Sequence, residues 1–245
     1  HRSGATLLSR VGCVWRRPPP LNQPLLKLLQ LTSPALPVGA YSYSEGLESL
    51  VDAGIITDQT TLEHWLKREL TYGAVRLEGG ILLRSYQAIA TQDWPSLTTW
   101  NQWLSAARET EELRNQSWQM GRSLLKLLLD LHPDQLASPI NDLKEANCNF
   151  AVAFAIAAYH WQIDSKTALL GYLHSWLANL VNAGVRLIPL GQTAGQHTLL
   201  TLQFDLEQAL DAILHQPDGT LESCGWGLAI ASMTHEIQYS RLFRS

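Results

Sequence analysis

From Pro24 onward, apolar residues recur three and four positions apart, the period of a helix with one buried face. Leu25, Leu26, Leu28, Leu29 and Leu31 predict a short first helix, closed by Ser33-Pro34 and Pro37. A second is predicted from near Ser42 or Ser44, with Leu47, Leu50 and Val51 on one face and Gly54 at its end. Asp58 or Thr60 opens a third through Leu62, Trp65, Leu66 and Glu69, and Val75 to Ala90 forms a fourth despite Gly79-Gly80. Trp94-Pro95 marks a break, after which Trp100, Trp103, Leu104 and Ala107 make a stripe. Glu109 to Leu131 is a long amphipathic run that stops at His132-Pro133. Asn147 to Trp161 and Lys166 to Leu187 are the most apolar segments and are expected at the centre. Gln192 to His215 and Glu222 to Glu236 follow, separated by the Pro217-Asp218-Gly219 turn. Only Thr198 to Phe204 shows a short, ambiguous strand-like alternation. The pattern predicts an all-α, single-domain globular bundle of about ten helices.

Ile188 to Gln196 punctuates that pattern most sharply. Pro189 cannot continue the helix arriving from Trp176 to Leu187, and it pushes Ile188 out of helical space. Gln192 and Gln196 then stand one helical turn apart, with Gly191 and Gly195 leaving the backbone around them unshielded. Two amides and two glycines can bind a surface, but they supply no acid, base or nucleophile.

Composition narrows the classes of function. With 245 residues, 46% of them hydrophobic, the chain can bury a sizeable core. The net charge of −4 hides an asymmetry, because residues 1 to 20 hold Arg2, Arg10, Arg16 and Arg17 and no acidic residue. The remainder carries 14 basic against 22 acidic residues, which argues against a nucleic-acid partner. Only 16% of residues are charged while nine are Trp, a balance that suits protein contacts as well as ordinary core filling. Three distant cysteines, Cys13, Cys148 and Cys224, do not form a disulfide framework and fit a reducing compartment. No apolar run approaches the roughly 18 residues of a membrane span. The Arg-rich, acid-free stretch ending at Pro18-Pro19-Pro20 reads as a transit peptide, a cloning scar or an upstream extension. The expected division is therefore a disordered or extraneous segment, 1–23, followed by a helical domain, 24–245, in which 237–245 is a flexible tail.

Enzyme chemistry finds little footing. There is no Gly-rich loop ending in Lys-Ser or Lys-Thr, and Gly39 to Gly46 carries Tyr41, Tyr43 and Glu45, which would obstruct a polyphosphate. No Gly-x-Ser-x-Gly elbow occurs, and Cys148 reads as a small buried filler. The eight histidines contain no pair spaced two to four apart, the spacing of a local metal clamp. His160 and His174 read as core or interface residues on apolar helices, and Glu109, Glu111 and Glu112 beside Arg108 and Arg114 as a solvated helix face.

Four segments look like contact surface. One is Leu36 to Glu48, in which Pro37, Gly39, Tyr41, Ser42, Ser44, Glu45, Gly46 and Glu48 are the candidates; Ser42 or Ser44 also reads simply as an N-cap. Glu109 to Gly121 offers Arg114 and Gly121, and a glycine in a helix interior suggests close approach of another backbone. The turn contributes Pro189, Gly191, Gln192, Gly195 and Gln196. The tail contributes Glu236, Tyr239, Ser240, Arg241, Leu242, Phe243 and Arg244, aromatic and apolar side chains interleaved with arginine; packing against its own domain is the alternative.

In order and spacing these blocks resemble the signature blocks of the urease accessory protein UreF family, from about Leu25 to the last residue. Pro189 to Gln196 and Tyr239 to Phe243 are the most specific matches, and residues 1 to 20 fall outside. The resemblance implies an all-helical, non-enzymatic, cytoplasmic chaperone, dimeric within its complex, that binds UreD (also called UreH) and recruits the GTPase UreG to apo-urease. Nickel is the delivered ion and GTP is used by UreG, so no tightly bound cofactor is expected and no metal ligand is assigned. The family's tail is implicated in docking UreD, a role carried to Tyr239, Ser240, Arg241, Leu242 and Phe243. Two alternatives stay open. One is a GTPase-activating regulator of UreG, which needs an arginine beside a phosphate and has Arg114, Arg241 and Arg244 as candidates. The other is a metallochaperone that binds nickel itself.

Overall fold

The computed structural model describes residues 23–39, 45–133, 136, 140, 143 and 147–217. Ten helices lie in them: α1 (Gln23–Leu31), α2 (Leu47–Asp52), α3 (Gln59–Tyr72), α4 (Ala74–Ala90) and α5 (Trp94–Ala107), then α6 (Glu111–Leu131), α7 (Phe150–His160), α8 (Ser165–Leu187), α9 (Gln192–Thr201) and α10 (Gln203–Leu214). No strand occurs among the described residues. The all-α bundle expected from the periodicity is what the chain forms.

The core is built around α7. Ala151 to Ala158 are all buried, so this helix has no polar face and must be covered on every side. α4, α6 and α8 supply that cover. Small residues let these helices approach one another. A side-chain carbon at Gly79 would meet Leu169 of α8 and Ile213 of α10, and one at Gly184 would meet Leu62 of α3. At Gly121 it would overlap the Cys148 carbonyl oxygen and crowd Asn149, the close backbone approach that a mid-helix glycine suggests.

Local chemistry sets most of the helix ends. Asp58 caps α3 in a reciprocal capping box with Thr61, and Asp93, Thr110 and Asp164 cap α5, α6 and α8 through their side chains. α5 carries Pro95 in its first turn, where the missing N–H costs nothing.

Three expectations need correction. α2 starts at Leu47, after Gly46, and no side chain caps it; Ser42 and Ser44, the expected start, lie outside the described residues. Gln192 to His215 is two helices divided at Leu202, and Thr198 to Phe204 is helical on either side of that division. Leu202 is buried at the junction, so packing bends the chain where no Gly or Pro marks it. Arg108 is no part of a solvated face: its side chain is 9% exposed and is paired inside the fold.

Candidate functional site

The turn between α8 and α9 exposes four of the five residues that the sequence marks and buries the fifth, Gly195. Ile188 is extended and buried, Leu190 N–H donates to the Ile188 carbonyl at 2.6 Å, and Pro189, Gly191, Gln192 and Gln196 are exposed. The two glycines do different things. Gly195 is buried, and a side-chain carbon there would lie 2.8 Å from Val185 Cγ2, so it lets α9 lie close on α8. Gly191 faces open space, and its carbonyl accepts from the Ala194 and Gly195 N–H groups at the start of α9. Thr198 pins the helix from below by donating its hydroxyl to Glu63 at 2.9 Å. From Ile188 to Phe204 no residue is charged, and Leu200 and Phe204 are 63% and 66% exposed. An exposed, charge-free stretch of amides and large apolar groups loses little hydration when another surface covers it.

The Leu36 to Glu48 block is partly inside the fold. Pro37 is exposed and Gly39 has φ +77 with open space around it, while Gly46 and Glu48 are buried; Tyr41, Ser42 and Ser44 lie outside the described residues. Glu45 and Gly46 both take left-handed backbone, φ 50 and 82. At a non-glycine residue such backbone costs about 1 kcal/mol, so contacts must hold Glu45 there.

Those contacts form a buried polar cluster that the sequence did not reveal. Trp176 Nε1–H donates to Glu45 Oε2 at 2.9 Å. Glu78 of α4 accepts from the Tyr172 hydroxyl at 2.5 Å and forms an ion pair with Arg108. Glu45, Glu78, Arg108, Tyr172 and Trp176 share a cavity of about 160 Å³ that is otherwise mainly apolar. Burial and then the Glu78 charge push the Glu45 carboxyl up to about 8, against the Trp176 hydrogen bond and Arg108. Glu69 of α3 is pushed up to about 7, first by burial and then by Glu109, against Arg68. Burial and Glu78 also raise the Tyr172 phenol well above its ordinary value. The signal available in the sequence was Glu78 itself, a lone acid among Leu77, Ile81 and Leu82; its partner lies 30 positions away in a charge-rich stretch.

On α6, Arg114 is half-buried, and its Nε is buried with no hydrogen-bond partner among the described residues. Next to Gly121 a network joins α5, α6 and α7: Asn149 N–H donates to Asn101 Oδ1 at 2.8 Å, Asn149 Nδ2 to Ser105 Oγ at 2.7 Å, and Ser117 Oγ to Asn149 Oδ1 at 3.0 Å. Glu236, Tyr239, Ser240, Arg241, Leu242, Phe243 and Arg244 lie outside the described residues.

The reactive side chains are dispersed. Among the described residues no three His, Cys, Asp or Glu side chains gather to hold a metal ion. His132 and His160, 28 positions apart, do meet, with ring centroids 4.6 Å apart and the Trp161 indole N–H donating to His132 Nε2 at 3.1 Å. Burial, then His132 and Lys27, hold His160 below its ordinary pKa. His174 is exposed rather than a core histidine. Burial raises the Cys148 thiol far above its usual range, which keeps it unreactive. No helix among the described residues is long and apolar enough to cross a membrane.

Fold and surface together define a class: an all-helical domain whose exposed signature is a turn and a helix start without charge. Comparison with known proteins says which. A family model described as UreF matches residues 56–203. The urease accessory protein UreF of Nostoc sp. (strain PCC 7120 / SAG 25.82 / UTEX 2576) is 58% identical over 220 residues, covering 90% of this chain and 95% of that protein. That of Synechocystis sp. (strain ATCC 27184 / PCC 6803 / Kazusa) is 52% identical over 231 residues, 90% and 97% of the two chains. That of Janthinobacterium sp. (strain Marseille) is 41% identical over 223 residues, 91% and 99%. The chain belongs to the UreF family of urease accessory proteins.

Proposed function

We propose that this chain is a non-catalytic, cytoplasmic chaperone of urease maturation. As a homodimer it binds UreD, and the pair recruits the GTPase UreG to apo-urease so that nickel is inserted. Nickel is cargo and GTP belongs to UreG, so the chain's own work is binding and positioning. The observation that carries this reading is the Pro189 to Gln196 turn, where Pro189, Gly191, Gln192 and Gln196 are exposed on a charge-free corner held from below by Gly195 and Thr198. In this reading the turn and the Leu36 to Glu48 block serve as partner or dimer surface. The tail from Tyr239 to Phe243 docks UreD.

Co-purification with UreD and UreG tests it, using the intact chain, a Gln192→Ala/Gln196→Ala variant and a chain truncated after Thr234. The intact chain is expected to carry both partners, the truncation to lose UreD, and the double variant to lose at least one partner while keeping its helical circular dichroism. If UreD and UreG fail to accompany the intact chain, the adaptor reading fails. Equal recovery with all three chains would remove the surface assignments.

A further inference from the structure

The Glu45–Gly46 turn is held in strained backbone, yet it is what delivers α2 onto the rest of the fold. α2 packs on α8 through a helix start in which Leu47, Glu48 and Ser49 are all buried. Trp176 of α8 ties the turn to that helix by donating its indole N–H to the Glu45 carboxyl. The groups facing that carboxyl are Glu78 from α4, Arg108 from the α5–α6 connection, Tyr172 and Trp176 from α8, and Glu69 from α3. His174 of α8 lines the same cavity, and Glu48 is buried on α2 itself. Arg108 is already paired with Glu78, so an ionised Glu45 would meet a second carboxylate, supported by the Trp176 indole N–H and by a guanidinium it has to share. The same carboxyl without its charge fits this pocket.

We propose that the Glu45 carboxyl is the positioning clasp that seats α2 on α8, and that the clasp lets go when the carboxyl gives up its proton to solvent. The left-handed turn then relaxes, and the start of α2 lifts from α8. Gly46 and Glu48, which the partner-surface reading assigns to contact, are buried while the clasp is shut. For that block the inference therefore rests on the proposed function: partner access to Gly46 and Glu48 requires the open form.

Hydrogen–deuterium exchange of the Leu50 to Ala53 amides, the first in α2 with helical acceptors, corrected for intrinsic exchange and followed from pH 5.5 to 8.5, reads the opening directly. One proton linked to opening predicts about a tenfold rise in the opening constant per pH unit, levelling near the upper end of the range. Glu45→Gln, which keeps an acceptor for Trp176 and has no proton to lose, is expected to stay at the low-pH level throughout. Trp176→Phe, which removes the tie and keeps the ring, is expected to raise opening at every pH and to preserve the slope. The same pH dependence in Glu45→Gln as in the native chain, a flat profile in the native chain, or native opening in Trp176→Phe would each overturn the clasp. Recovery of UreD by the native chain at pH 6.5 and 8 separates the two readings. Absent UreD with an intact exchange profile defeats the chaperone reading alone, and a flat profile with UreD bound defeats the clasp alone.

Discussion

Two helices of this molecule lack the usual division into an apolar and a polar face, for opposite reasons. α7 is apolar all round because it is covered all round, by α4, α6 and α8. α9 carries no charge and buries only Gly195 and Thr198, while Gln192, Thr193, Gln196, His197 and Leu200 are open to solvent. In α7 side-chain volume decides, and any change must fit a filled space. In α9 packing asks little of the exposed residues, so their identity is free to serve a partner. The absence of an amphipathic stripe thus marks both the centre of the fold and the corner best suited to be covered by something else.

The contrast is broken most forcefully at Phe154. It is fully buried in α7, with its ring against Phe150 and Tyr172, so Phe154→Ala is expected to cost about 4 kcal/mol, read from urea unfolding. A loss below about 1 kcal/mol would mean that the centre is loosely packed. Gly121→Ala comes next. Its added carbon overlaps the Cys148 carbonyl, a backbone atom that cannot rotate away, and the expected cost is about 2 kcal/mol.

The half-way case is the acidic interior. The Glu69 carboxyl, raised to about 7 in the fold, contributes stability that is complete below its ordinary value of 4.5 and lost as pH rises through 7. The urea midpoint of the native chain is therefore expected to fall between pH 5 and 8 relative to Glu69→Gln. A constant difference across that range would mean that Glu69 is ionised in the fold. The smallest effect is expected on α9, where Gln192→Ala and Gln196→Ala should change stability by less than about 0.5 kcal/mol. A larger loss would make the two amides part of the fold's own packing.

The same contrast explains what could be read in the sequence. α7 and α8 were legible as the centre because long apolar runs have only one place to go, and Pro189 fixed the end of α8 because its ring forbids continuation. Asp58 announced α3 because its side chain caps the helix locally. Gly121 was legible as a close approach, though not which backbone approaches it. Other features depend on residues far apart. Arg108 looked solvated among Glu109, Glu111 and Glu112, and only the fold brings Glu78 beneath it. Leu202 divides α9 from α10 without a breaker, since burial makes the bend. Ser42 and Ser44 drew the start of α2 too early because their hydroxyls are good caps, whereas the described helix follows a left-handed Glu45–Gly46 pair. For the contact blocks, residue type did not separate exposed from buried: Gly195 on α9, and Gly46 and Glu48 in the Leu36 to Glu48 block, turn inward.

The central claim is that this chain acts by bringing other proteins together so that nickel reaches urease. The most direct test is the nickel content of urease matured from the apoprotein with UreD, UreG, GTP and nickel, in the presence and absence of this chain. The account predicts nickel incorporation well above background only when the chain is present. Equal nickel content without it would contradict the account.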